Sequence, residues 1–335
     1  MRKFTGSTRK EEMAKLTNCY LKLRNLSLIQ LGLLVAALIT AIVKAMLPSV
    51  LCMLGMALLR ITLHRKWRQD YRQAITDATL ACSVGPKLDQ FELSAKGGTG
   101  ISPGDVSDAE LIPVREGVNG NIAFYQGISG SWRGMEISMN DTTLQLPPQD
   151  GQKGIEIACG VWIRIVLPKD TCRNFRILSI DILPDDLRRA YMKSRPALRK
   201  RDEQKAGFRE KLYVYEERLP DAPVSAPSAP DPVPASLSGE SDAAAPPVVS
   251  GAGSAPAAVS AFPSFSNTVL SAVSGLFRKT SGKPAISVKG NVLNVFIRDQ
   301  LLAHNYPANS KPEESYLQFD PIPEFRDVLR LAESL

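Results

Sequence analysis

The sequence predicts an α+β protein in two parts: an N-terminal transmembrane helical hairpin over residues 26–63, then one soluble α+β domain interrupted by a disordered Pro/Ala/Ser-rich linker over residues 219–264. Three observations carry this. Leu26 to Val43 is 18 residues without a charge, about 27 Å as a helix and close to the roughly 30 Å hydrocarbon core of a bilayer. Alternation of apolar residues with a period of two clusters between residues 122 and 167, with helical spacing on either side. From Leu219 to Ser264, 34 of 46 residues are Ala, Pro, Ser or Gly, too little apolar surface to offset the entropy of ordering them. Setting these two stretches and the first 25 residues aside leaves 226 of 335, enough for one sizeable core. Composition, 44% hydrophobic and 22% charged, excludes collagen-like, wholly disordered and disulfide-scaffold classes.

Residues 1–25 form a cytoplasmic N-terminal segment. Met13, Leu16, Tyr20 and Leu23 recur at helical steps among Lys and Glu, which predicts an amphipathic helix over residues 8–24 lying on the inner headgroups. After Val43, Lys44 can snorkel and Pro48 breaks the helical ladder, so a turn is expected before a second apolar run from Ser49 to Leu63. Arg60 interrupts that run and must reach the headgroups; a re-entrant or interfacial segment is the alternative to a full crossing. The formal charge is +7, yet residues 1–72 alone carry +10 and the remainder sums to −3. Excess positive charge beside an apolar run reflects the positive-inside bias and attraction to anionic lipid, so no nucleic acid is expected as a partner. Seven basic residues precede the first span and a second group, starting with Arg60, ends or follows the second, which places both ends in the cytoplasm. Trp67 and Tyr71 suit an interfacial aromatic anchor or packing within the soluble domain. Lys44, Arg60, Trp67 and Tyr71 are the candidate membrane-anchoring residues. The apolar run starts too late and is too long for a cleaved signal peptide.

Beyond Tyr71, Ile75, Ala78 and Thr79 continue a helix that Gly85-Pro86 ends. Lys96 to Asp105 is a Gly-rich loop and Asp105 to Leu111 a short helix. Ile122 and Phe124, the run from Trp132 to Met139, and Thr143 to Leu146 predict a β-meander. Ile155 to Leu167 turns continuously apolar around Val161 to Ile165, as a central strand covered on both faces does. Asp185 to Leu198 is expected as a helix and Lys211 to Tyr215 as a strand. After the linker, Ser266 to Lys279 predicts an amphipathic helix ended by Ser281-Gly282. Ala285–Val288 and Val292–Ile297 flank Lys289-Gly290-Asn291, a tight-hairpin sequence. Asp320 can cap a last helix with Pro321 at its first position and Ile322, Phe325, Val328, Leu329 and Ala332 on one face. One helix, one hairpin and one helix are too little for an independent core. The linker is therefore read as an insertion in a single domain, with residues 64–218 its first part and 265–335 its C-terminal part packing back onto residues 120–217.

Several motifs resemble a bacterial membrane-protein family known only as a domain of unknown function. They are the transmembrane pair, Trp-Arg-Gln-Asp-Tyr-Arg (67–72), Gly-Gly-x-Gly-Ile-Ser (97–102), Gly-x-Trp-Arg-Gly-Met-Glu-Ile-Ser (130–138), Gly-Val-Trp-Ile-Arg-Ile (160–165) and the ending Phe-Asp-Pro-Ile-Pro-Glu-Phe-Arg (319–326). The likeness covers nearly the whole chain except residues 219–264. It implies the same architecture and a bacterial origin and carries no catalytic set; with the charge bias it gives the expectation of a multi-pass protein of the bacterial inner (cytoplasmic) membrane with its soluble domain in the cytoplasm.

No motif for chemistry emerges. His64 and His304 are the two histidines, too few for a multi-histidine zinc site, and no metal site or cofactor is expected. Cys19, Cys52, Cys82, Cys159 and Cys172 contain no CxxC pair and read as reduced thiols. Gly127-Ile-Ser129-Gly130-Ser131 misses the GxSxG pattern by one position, and Gly275 to Lys283 spaces its glycines wrongly for a P-loop. From sequence, Lys96 to Gly100 is expected to have neither a preceding strand nor a following capped helix and reads as a turn, and Asp185-Asp186 and Glu313-Glu314 suit helix starts or loops. The segment Arg188 to Lys211 carries ten basic residues. Arg188, Arg189, Lys193, Arg195, Arg199, Lys200 and Arg201 are the candidate lipid or phosphate contacts, against the plainer reading of a solvated surface. Catalytic residues are not identifiable. The favoured expectation is a membrane-held, non-enzymatic interaction or regulatory module whose partners are the lipid bilayer and a protein. An enzyme with an unrecognised site, or a lipid-headgroup or nucleic-acid binder using residues 188–211, are the alternatives.

Overall fold

The computed structural model describes residues 2–3, 9–94, 98–112, 121–145, 156–171, 174–179, 182, 198–201, 212–217, 267–279, 284–303 and 310–335. The linker, the Ser281-Gly282 turn, His304, Cys172 and most of the Asp185 to Leu198 helix expected from sequence lie outside them. After a two-residue strand β1 (Arg2–Lys3) come three helices, α1 (Arg9–Ile42), α2 (Met46–Leu59) and α3 (Arg65–Ser83), with a π-helical turn Arg60–His64 joining the last two. Strand β2 (Asp89–Ser94) and helix α4 (Pro103–Ala109) precede β3 (Asn121–Trp132), β4 (Met135–Gln145), β5 (Glu156–Val166), β6 (Asn174–Ser179), β7 (Leu198–Arg201) and β8 (Leu212–Glu217). Helix α5 (Asn267–Lys279), the hairpin β9 (Pro284–Lys289) and β10 (Val292–Arg298), α6 (Glu314–Gln318) and α7 (Phe325–Ser334) complete the chain.

The helices α1 to α3 make an antiparallel stalk. Two of its rods are long and apolar enough to cross a membrane: Arg9–Ile42, and the continuous helical stretch from Met46. The sequence expectation of a separate amphipathic helix over residues 8–24 is corrected, since α1 runs unbroken through that segment. Along α1 the residues not left exposed are Glu12, Leu16, Cys19, Leu23, Leu26, Gln30, Leu33, Ala37 and Thr40, with Met13, Thr17, Tyr20 and Ala36 beside them. Steps of four and three alternate throughout, the 3.5-residue seam of a supercoiled pair. On the returning rod the seam passes through Ser49, Cys52, Met56 and Leu59, then His64, Trp67 and Tyr71. The five-residue step from Leu59 to His64 spans the π turn. A π turn inserts one extra residue, and that insertion keeps α3 in phase with α1.

The bend at the tip also differs from expectation. Lys44 has φ 59°, and Lys44 N–H donates to Ala41 O at 3.0 Å and Ala45 N–H to Thr40 O at 2.9 Å, the paired bonds of a Schellman ending. The helix is therefore stopped by Lys44, while Pro48 sits in the first turn of α2, where the missing N–H has no partner to lose. Ser49 Oγ donates across to Ala37 O at 3.1 Å.

Among the described residues ten strands form one sheet in the order β1-β2-β3-β4-β5-β10-β9-β6-β8-β7, antiparallel at every pairing. The C-terminal hairpin lies in the middle, β10 on β5 and β9 on β6, so chain on both sides of the linker builds one sheet. One face is apolar: Met135, Ile137, Met139, Ile163, Ile165, Ile286, Val288, Leu293 and Val295 pack with α5, α7 and the end of α3. The other face carries a smaller cluster around Trp162 and Phe296, whose rings lie 5.5 Å apart, under α4.

Local boundaries shift for physical reasons. Trp132 to Met139 is not one strand, because Arg133 (φ 49°) and Gly134 (φ 82°) make the hairpin turn that a two-residue loop with positive φ at both positions provides; Thr143 continues β4. Helix α4 starts earlier than expected because Ser102 and Asp105 form a capping box. Leu198 is strand rather than helix. Asp320 Oδ1 accepts from Ile322 N–H at 3.2 Å, closing a turn, and α7 begins only at Phe325. Strands β1, β2 and β6 and helix α6 have no counterpart in the sequence reading.

Candidate functional site

Of the anchor candidates, Lys44 is exposed at the tip of the stalk and Arg60 is exposed in the π turn. Trp67 is half-buried against the α1–α3 seam. Tyr71 takes the second placement open to it: it is fully buried, its hydroxyl donates to Ser310 O at 2.9 Å, and its ring lies 6.0 Å from that of Tyr20. Burial, then the neighbouring Tyr316, Tyr20 and Cys19, push its phenol up. Thr79 Oγ1 donates to Tyr316 O at 2.9 Å and Gln73 Nε2 to Gln126 Oε1 at 2.7 Å, so the upper half of the stalk is bonded to the domain. The large exposed apolar side chains among the described residues run from Leu21 to Leu63, with three others, Tyr125, Leu301 and Phe319, on the domain. A groove of about 820 Å³ beside α1 is lined by Arg9, Lys10, Met13, Leu21 and Leu317 among others.

Arg188, Arg189, Lys193 and Arg195 lie outside the described residues. The backbone of Arg199, Lys200 and Arg201 belongs to β7, the edge strand paired with β8.

The structure assembles a different polar group, on the sheet face under α4. Antiparallel partners share a face, and the registers link Ser129 to Ser138, Ser138 to Arg164, Arg164 to Asn294, Asn294 to Ser287, Ser287 to Arg176 and Arg176 to Tyr215. One polar row thus crosses seven strands. Helix α4 lies over it: Arg164 Nε is 3.3 Å from Asp105 Oδ1, while Arg176 Nη2 donates to Glu110 Oε2 at 2.5 Å. Trp162 Nε1 donates to Asn294 Oδ1 at 3.1 Å. In the loop before α4, Thr99 Oγ1 donates to Asn140 Oδ1, and a Cβ at Gly127 would collide with both side chains. Arg176 Nε and Nη1 and Ser287 Oγ are buried without a hydrogen-bond partner.

A buried acid stands on the opposite face. Asp141, paired with Val161, accepts from Leu302 N–H at 2.6 Å and Ala303 N–H at 3.0 Å. Desolvation pushes its carboxyl up to about 6 against the pull of those two bonds. Burial also raises the Cys159 thiol, opposed by the hydrogen bond from Thr143, and raises the Cys82 thiol. Among the described residues no three His, Cys, Asp or Glu side chains converge to hold a metal. Sequence reading misses the polar row because each strand contributes one or two ordinary polar residues, and only the strand order aligns them. Comparison with known protein families, with characterised proteins and with solved structures gives no match.

Proposed function

We propose that the chain is a membrane-anchored, non-enzymatic module: the stalk spans the bacterial inner membrane twice and holds one inward-facing α+β domain at the cytoplasmic surface for a protein partner. The observation that carries this is the seam of α1, which keeps one heptad phase from the polar segment around Glu12 to the apolar segment around Ala37. At 1.5 Å per residue the 34 residues of α1 extend about 51 Å, beyond the roughly 30 Å of hydrocarbon. The helix therefore has length both to cross and to reach the domain. The concentrated basic charge of residues 1–72 supports the inward orientation, and the resemblance of its motifs to a bacterial membrane family supports its source.

The test is fractionation with a reporter fused after Leu335. The chain is expected in washed membranes with the reporter active only when of the cytoplasmic type; full-length protein in a detergent-free high-speed supernatant refutes the reading. Deleting Thr62 from the π turn is expected to rotate α3 by about 100° relative to α1 and release the upper stalk to protease while the chain stays in the membrane. Unchanged protection after that deletion would show that seam phase does not position the domain.

A further inference from the structure

The face under α4 holds donors that the described fold does not use. Arg176 is 1% exposed and Ser287 fully buried. They stand opposite each other in the β6–β9 ladder, about 5 Å apart at Cα, so their side chains leave the same face. Nη2 of the guanidinium is taken by Glu110, but Nε, Nη1 and the Ser287 hydroxyl have no partner. Buried donors left unmade are destabilising, charged ones most of all. Glu110 itself is unusual. It sits at the C-cap of α4 with φ 55° and ψ 26°, a left-handed conformation that glycine commonly supplies at helix ends and that strains other residues.

The geometry points to an oxyanion-binding site at Arg176 and Ser287, in which Glu110 is an internal stand-in for the phosphate or carboxylate group of a small ligand. A guanidinium fork matches such groups in shape and charge. One carboxylate oxygen of Glu110 occupies a single nitrogen, whereas a phosphate group has oxygens enough for the remaining donors as well. Arg164 lies on the same row, two strands from Ser287, and adds positive charge that Asp105 offsets from α4. Moving Glu110 aside would thus uncover a donor set already desolvated, where electrostatic attraction is strongest. The phosphate group can be free in solution or carried by a lipid headgroup.

The test is a calorimetric titration of the full chain, in nanodiscs of phosphatidylcholine, with inorganic phosphate at constant ionic strength. Saturable binding is expected, tightened about tenfold by Glu110→Gln, which removes the internal competitor, and weakened severalfold by Ser287→Ala. Arg176→Met abolishes binding; should that variant fail to fold, the gain in Glu110→Gln decides alone. A parallel arm uses nanodiscs containing phosphatidic acid without free phosphate. A thermal shift enhanced by Glu110→Gln in that arm only assigns the headgroup, and a response to free phosphate assigns a soluble ligand. Absence of binding from both sources in wild type and Glu110→Gln, or equal affinity of the two proteins, overturns the site.

Discussion

The two faces of the sheet solve opposite problems. On one, alternate residues of the central strands are hydrocarbon and meet Val273, Leu276, Phe325 and Val328 of α5 and α7; on the other, the same strands raise a row of serines, an asparagine and two arginines against the acids of α4. Hydrocarbon contact is non-directional and grows with buried area. A polar row works only in register, since slipping one strand by one residue would carry its polar side chain to the apolar face. The difference teaches that the C-terminal helices supply stability, while the α4 face supplies register and a set of oriented donors.

The apolar face should therefore give the largest response to truncation. Phe325 is wholly buried, and Phe325→Ala is expected to lower unfolding free energy by about 3–5 kcal/mol, read from urea denaturation of the detergent-solubilised chain. A loss below about 1 kcal/mol, the scale of surface changes, would mean that α7 is not part of the core that stabilises the sheet.

Asp141 breaks the comparison, being an acid on the apolar face. Its carboxyl is pushed up to about 6, so between about pH 4 and pH 6 the folded chain keeps a proton that the unfolded chain has released. That contribution to stability is present below this window and is lost as pH rises through it. Asp141→Asn removes the titration and gives up one acceptor to the Leu302 and Ala303 N–H groups. The stability difference between variant and wild type is expected to move by up to about 3 kcal/mol in the variant's favour from pH 4 to pH 7. A difference that stays flat would show that the site is hydrated enough to keep an ordinary carboxylate.

How far the architecture can be read from sequence follows the same division. The long apolar runs and the period-two stretches are legible because both are local: Leu26 to Val43 carries no charge, and Ile155 to Leu167 alternates before turning continuously apolar. The seam of α1 is hidden, because from Leu26 to Ile42 nearly every position is apolar and composition does not mark which ones face α2. The turn at Arg133-Gly134 is hidden by apolar residues on both sides. The strand Asn174–Ser179 is too short to declare a period, and it buries Arg176 where a hydrophobic residue would have given one. The donors at Arg176 and Ser287 are 111 residues apart in the chain, and nothing short of the strand order joins them.

On the polar face, smaller effects with a sharper signature are expected. Arg176→Met strips Glu110 of its buried cation and should cost about 2 kcal/mol, below the 3–5 of fully buried pairs because the Glu110 side chain is 24% exposed. Combining Arg176→Met with Glu110→Gln removes both charges and should recover more than half of the loss. A double-mutant cycle whose single changes simply add would mean that the Arg176–Glu110 pair does not couple the end of α4 to the sheet.

The smallest effect is predicted where stalk meets sheet. Lys87 Nζ lies 2.7 Å from Asp320 Oδ2, with both side chains about one-third exposed, at 34% and 35%. Solvent and salt screen such a pair, so Lys87→Ala should change stability by no more than about 0.5 kcal/mol and by still less at 1 M salt. Asp320 has a second task, closing the turn at Ile322 N–H, so Asp320→Ala should cost about 1 kcal/mol more than Lys87→Ala and keep that excess in high salt. Equal losses for the two variants would mean that the charge pair, and not the turn, holds the entry to α7, and would put electrostatics rather than packing at the seam between stalk and domain.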